Sequence, residues 1–170
     1  MKIFNLYEFD DEDLESFTKF SNEYWEEPWL IYLECCGGVN WITNQMLYVL
    51  NLKSEMTKDV FINVSKAYSN GFELMMGFKG PVNILDGASG MIHHSTKMSN
   101  IMANGKTTNG IGSNYERILK KERTIQLNKD TKKYKSLMTE EEYKQYRDGY
   151  DIYFIDSQLR SFIKKRNFDN

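Results

Sequence analysis

The alternation of short apolar runs with amphipathic runs over the first hundred residues constrains the fold of this chain more than any other feature. Trp29–Glu34 and Val60–Val64 are short and mainly aliphatic and aromatic, and the first runs into Gly37-Gly38. Both read as buried strands, and Lys2–Leu6 shows strand-type alternation. The stretches between them have helical spacing. Asp10 and Asp11 are placed to cap a helix from about Glu12. Its Leu14, Phe17, Phe20 and Tyr24 recur at helical intervals until Pro28 ends it. Ile42, Met46, Val49 and Leu50 form one stripe of a helix spanning Trp41 to Leu52. Gly71–Met76 is expected to be helical. Val82–Leu85 and Met91–His93 are expected as strands on either side of an Asp86-Gly87 turn. Met98–Gly112, rich in Asn, Gly, Ser and Thr, reads as a loop, and Asn114–Leu127 as a charged helix with Tyr115, Ile118 and Leu119 on one side. Met138-Thr139-Glu140-Glu141-Glu142 reads as a capped helix start, and Asp151–Ile155 as a last strand. Strands alternating with helices predict α/β layers around a largely parallel sheet.

The 170 residues fit a single domain over 1–170, long enough to bury an ordinary core without disulfides or metals. A net charge of −2 points to neither nucleic acid nor an acidic membrane. The cysteines, Cys35 and Cys36, are adjacent and offer no disulfide framework, which suits a reducing, cytoplasmic compartment. Met1–Phe4 lacks the apolar stretch of a leader, and no run approaches the roughly 18 apolar residues of a membrane helix, so no membrane partner is expected. No cofactor and no metal site is expected.

Four places carry candidate chemistry. Gly37-Gly38 closes a strand ahead of a helix, where glycine lets the backbone approach a ligand closely; as a bare pair it is a tight turn. Ser69 lies between the Val60–Val64 strand and the next helix. Its hydroxyl there meets the positive helix end and free N–H groups suited to an oxyanion; read alone, such a serine is a helix cap. His93 and His94, the two histidines of the chain, supply the usual base for a serine nucleophile, and on a strand they point to opposite faces. Lys135 to Tyr146 is on its own a capped, charged helix start.

The order of these places resembles the proteolytic subunit of the Clp protease. The family runs from Asn-Ser-Pro-Gly-Gly through Gly-x-Ala-x-Ser-x-Gly to Met-Ile-His-Gln-Pro. This chain runs from Leu33-Glu34-Cys35-Cys36-Gly37-Gly38 through Ala67-Tyr68-Ser69-Asn70-Gly71 to Met91-Ile92-His93-His94. Ser69 and His93 stand 24 residues apart (93 − 69 = 24), close to the family's spacing. Gly77-Phe78-Lys79-Gly80 is similar to its intervening turn. The likeness runs from about Lys2 to Ser99 and returns weakly over Met138 to Leu159.

The resemblance implies a Clp-protease/crotonase-like layered fold of repeated strand–helix units. It implies a serine-type endopeptidase with Ser69 as nucleophile, His93 as base and the Gly38 and Asn70 N–H groups as oxyanion hole. Peptide or unfolded protein would be the substrate, a homo-oligomer the assembly, and an ATP-dependent unfoldase a partner. This chain departs from the pattern in several places. Cys35-Cys36 replaces Ser-Pro, Ser65 the first glycine of the serine motif, and His94-Ser95 Gln-Pro; Glu73 falls where the family's helix is apolar. The acid slot, three residues before the pair matched by Met138-Thr139, holds Lys135, and the nearest upstream acid is Asp130, which a shift in register would bring to the triad. A Ser–Lys arrangement would instead require Lys135 beside Ser69. The alternative is a catalytically impaired Clp-like structural or regulatory subunit.

Overall fold

The computed structural model describes residues 1–93 and 134–166. The chain divides into two compact units, Met1–Ile92 with Tyr153–Asn170, and His93–Ile152. In chain order the elements are β1 (Lys2–Leu6), α1 (Asp11–Glu23), β2 (Trp29–Cys35), α2 (Asn40–Thr57), β3 (Val60–Tyr68), α3 (Asn70–Gly77) and β4 (Val82–Ile92). After them come a 3-10 turn (Lys135–Leu137), α4 (Glu140–Arg147), β5 (Ile152–Ile155) and α5 (Asp156–Lys165). The fold is α/β, with a five-stranded mixed sheet in the order β1-β2-β3-β4-β5. The pairings β1–β2, β2–β3 and β3–β4 are parallel. Asn114–Leu127 and Met98–Gly112 lie outside the described residues.

Local chemistry accounts for the helices. Asp10 caps α1, its carboxylate accepting the Asp13 N–H at 2.8 Å, with Asp11, Glu12 and Asp13 at the positive end of the dipole. Phe17 and Phe20 turn inward onto Trp29, with ring centroids 6.3 and 5.2 Å away, and the Trp29 indole N–H donates to the Tyr24 carbonyl at 2.7 Å. The α2 stripe buries Ile42, Met46 and Leu50, but the helix runs on past Leu52 to Thr57 because Lys53 and Ser54 are also buried. It stops where Lys58 turns left-handed at φ 58° and its N–H returns to the Ser54 carbonyl. The Lys53 ammonium finds no hydrogen-bond acceptor among the described residues and lies 5.4 and 5.8 Å from the Trp29 and Trp25 ring centroids. Such cation–π contacts contribute about 0.5–2 kcal/mol, less than a hydrated ammonium gives up on burial. In the second unit, Thr139 and Glu142 form a reciprocal capping box at the start of α4.

One sequence expectation is corrected. Val82–Leu85 and Met91–His93 are not two strands around a turn, because β4 is continuous from Val82 to Ile92, and His93 follows it. Asp86-Gly87 lies in a bulge. The β4 strand advances from Ile84 to Ser89 while β3 advances only from Val64 to Lys66, and both flanks pair with β3 in the same direction. Gly87, at φ 75°, turns the chain sideways instead of reversing it.

The sequence reading did not single out α5. Its Leu159 and Phe162 are buried, Phe162 meeting Phe154 edge-on at 5.0 Å. It seats against β4 at Gly90, where an added Cβ would stand 2.6 Å from Leu159 Cδ2. Among the described residues no helix is long and apolar enough to cross a membrane. Gly90→Ala is expected to lower stability by about 1–3 kcal/mol, as overpacking does. Urea denaturation checks this, and an unchanged midpoint would mean that Leu159 yields without cost.

Candidate active site

The site grows from the C-terminal ends of β2 and β3, both in the first unit. As β2 ends, Gly37 and Gly38 take φ 124° and 142°, a region that side chains rarely enter. The chain here lies directly against Phe9. The Phe9 N–H donates to the Gly37 carbonyl at 3.0 Å, and the Val39 N–H donates to the Phe9 carbonyl at 2.8 Å. A Cβ on Gly38 would stand 2.5 Å from the Phe9 carbonyl oxygen and 2.6 Å from its nitrogen, so only glycine fits. The Gly38 carbonyl accepts the Asn70 side-chain amide at 2.6 Å. Among the described residues no backbone carbonyl accepts the Gly38 N–H.

Ser69 occupies the joint between β3 and α3 with φ 52° and ψ −114°. A non-glycine residue held there carries strain on the order of 1–3 kcal/mol, and it persists because neighbours over-determine it. Its N–H donates to the Met91 carbonyl at 2.8 Å, and its carbonyl accepts the Glu73 N–H at 3.2 Å. The sharp turn sets the side chain against Gly37, where an added Cβ would lie 3.1 Å from Ser69 Cβ and 3.5 Å from Oγ. A side chain at 37 would therefore crowd Ser69, and glycine avoids this. The first N–H groups of α3, that of Asn70 included, have no acceptor inside the helix and stand at its positive end. The helix is anchored by buried Phe72, Leu74 and Met75, and by Gly71 against Cys35, where a Cβ would meet the Cys35 Cβ at 3.0 Å. Behind the serine, the Tyr68 hydroxyl hydrogen-bonds Ser89 at 3.0 Å, and its ring meets Tyr153 edge-on at 6.0 Å.

The structure thus brings Gly37, Gly38, Ser69 and Asn70 together. His93, half-buried, comes directly after β4, two residues past the Met91 carbonyl that holds the Ser69 N–H, and belongs to the second unit. Asp130 and His94 lie outside the described residues. Lys135 begins the short 3-10 turn, with its ammonium 5.4 Å from the Tyr143 ring centroid. Among the described residues no group of three or more His, Cys, Asp or Glu side chains is gathered as a metal site would require. Two contributors escaped the sequence reading. The Met91 carbonyl acts through its backbone, and Phe9 carries no local signal because its bridge to Gly38 is non-local.

Backbone strain at Ser69 makes Ser69→Gly more stable than Ser69→Ala by about 1 kcal/mol, since only glycine relaxes at positive φ. Chemical denaturation of the two variants measures this, and equal midpoints would count against strain. The cysteines should also differ. Burial, which outweighs the hydrogen bond from the Gly37 N–H, pushes the Cys35 thiol up to about 12, whereas Cys36 is exposed. One thiol is therefore expected to react with a disulfide reagent at pH 8 in the native protein and two after unfolding. Two fast-reacting native thiols would overturn this. No protein-family model matches this chain, and no curated protein matches it.

Proposed function

We propose that this chain is a serine-type endopeptidase of Clp-protease/crotonase-like fold, with Ser69 as its nucleophile. The observation that carries the proposal is the Ser69 backbone, a non-glycine residue at φ 52° on a strand–helix joint, with Gly37 against its side chain. Strain of this kind concentrates where a side chain must be presented to a reacting group. The three parallel pairings, each linked through a helix, agree with a layered fold of repeated strand–helix units.

The chemistry would be acyl transfer. As Ser69 Oγ forms its bond to the peptide carbonyl carbon, its proton passes to a ring nitrogen of His93. The carbonyl oxygen takes up the negative charge between the N–H groups of Gly38 and Asn70. Collapse breaks the C–N bond, and the departing amine receives the proton from His93. Water then repeats the sequence on the acyl-enzyme and regenerates Ser69. Asp130 is the acid proposed to orient His93. Peptide or unfolded protein is the proposed substrate, in a cytoplasmic homo-oligomer served by an ATP-dependent unfoldase.

A second reading, a catalytically impaired structural or regulatory subunit, is favoured by one observation. Lys135, in the slot of the triad acid, directs its ammonium at the Tyr143 ring. A fluorophosphonate probe separates the two. The active enzyme is expected to be labelled, Ser69→Ala not at all, and His93→Ala at least about a hundredfold more slowly, by the scale of general-base catalysis. Equal labelling of the wild type and Ser69→Ala would remove Ser69 from the mechanism. No labelling of the wild type would favour the impaired subunit.

A further inference from the structure

We propose that Asp156 and Arg160, at the start of α5, are positioning residues for Ser69, acting through the bulge in β4. The proposal rests on Ser69 being the nucleophile. It begins from the backbone bond that holds the strained serine, the Ser69 N–H on the Met91 carbonyl at 2.8 Å. Which carbonyl occupies that place depends on where β4 resumes its pairing with β3 after the bulge. Pairing stops at Ile84 opposite Val64 and resumes at Ser89 opposite Lys66, then Gly90 opposite Ala67 and Met91 opposite Tyr68. The residues between have no ladder to β3 that fixes their path. A slip of one residue would exchange the two faces of Ser89–Ile92 and remove the Met91 carbonyl from Ser69.

The start of α5 meets this stretch, which has left the β3 ladder, and both of its flanks. The Gly87 N–H donates to Asp156 Oδ2 at 3.0 Å. The Arg160 guanidinium donates through Nε and Nη2 to the Ile84 carbonyl at 3.3 and 3.1 Å, and it also pairs with Asp86. One turn along, Leu159 packs on Gly90, next to Met91. The same short helix therefore holds Ile84 before the bulge, Gly87 inside it and Gly90 beyond it.

Exposure ranks these contacts. The Asp86 side chain is 99% exposed, so its pair with Arg160 contributes little, as surface ion pairs do. The Asp156 side chain is 27% exposed. The Gly87 N–H first, then the Ser157 N–H, hold its carboxyl below the usual carboxylate range, the behaviour of an anion engaged by backbone donors. The bonds to Gly87 and to the Ile84 carbonyl set the register, whereas the Asp86 contact does not. Misplacing a reacting group by an ångström costs about a hundredfold in rate, so loosening the bulge reaches Ser69 without touching substrate.

The test measures the rate of fluorophosphonate labelling and the kcat and KM for a small peptide ester, at a temperature where circular dichroism shows each variant folded. Asp156→Ala is expected to slow labelling about tenfold or more and to lower kcat with KM nearly unchanged, because it displaces the nucleophile and leaves ground-state binding intact. Asp156→Asn still offers an oxygen to the Gly87 N–H and is expected to stay within about twofold of wild type, as is Asp86→Ala. If Asp156→Ala does not fold, Arg160→Gln replaces it, with the same loss expected. A wild-type labelling rate in Asp156→Ala or its replacement, or an Asp156→Asn as slow as Asp156→Ala, would overturn the proposal while the labelled wild type leaves Ser69 as nucleophile. An unlabelled wild type would overturn both.

Discussion

The joint between β3 and β4 is the constraint on which the rest of this molecule depends. Parallel pairing brings Tyr68 opposite Met91, and the Ser69 N–H closes the ladder on the Met91 carbonyl. That bond turns the chain out of β3 into a backbone conformation that serine does not choose by itself and starts α3 at Asn70. Everything around it acts to keep the joint in place. On the side of β2, Gly71 lies on Cys35 and the Asn70 amide holds the Gly38 carbonyl. On the side of β4, α5 sits on Gly90 and the bulge.

The energetics follow the same division. Trp29, Ile31, Leu33, Val60, Ile62, Val64, Phe72 and Leu74 are fully enclosed, and each such side chain contributes about 1.5–3 kcal/mol relative to exposure. This apolar layer tolerates the unfavourable features gathered near it. These are the positive φ of Ser69, the glycine conformations at Gly37 and Gly38, and the ammonium of Lys53 with aromatic rings for company. The first two lie at the end of the sheet where the candidate chemistry would take place, whereas Lys53 faces Trp25 and Trp29.

Much of the architecture was legible residue by residue, and the reasons are local. Asp10 announced a cap with its side chain. The Ile42, Met46, Val49 and Leu50 stripe announced α2, and the mainly apolar stretches at Trp29 and Val60 announced β2 and β3. The misreading at Asp86-Gly87 is equally instructive. A glycine at positive φ signals a change of direction, but whether that change reverses a strand or bows it outward depends on the partner on which the chain lands. Here the partner on both flanks is β3, and a side chain from α5, remote in sequence, receives the Gly87 N–H. No window of residues around position 87 contains that information.

The sequence by itself determined the order of strands and helices from β1 to α3, the glycines at 37 and 38, and a serine set between an apolar strand and a helix, because each follows from side chains acting on their own stretch of backbone. The tertiary structure alone decided that Gly38 would lie flush on Phe9, that Gly37 would face the Ser69 side chain, that Met91 would hold the Ser69 N–H, and that Asp156 and Arg160 would clamp the β4 bulge. These contacts join residues separated by tens of positions, through backbone groups that every residue carries alike. Only the packed register of the sheet selects which of them meet.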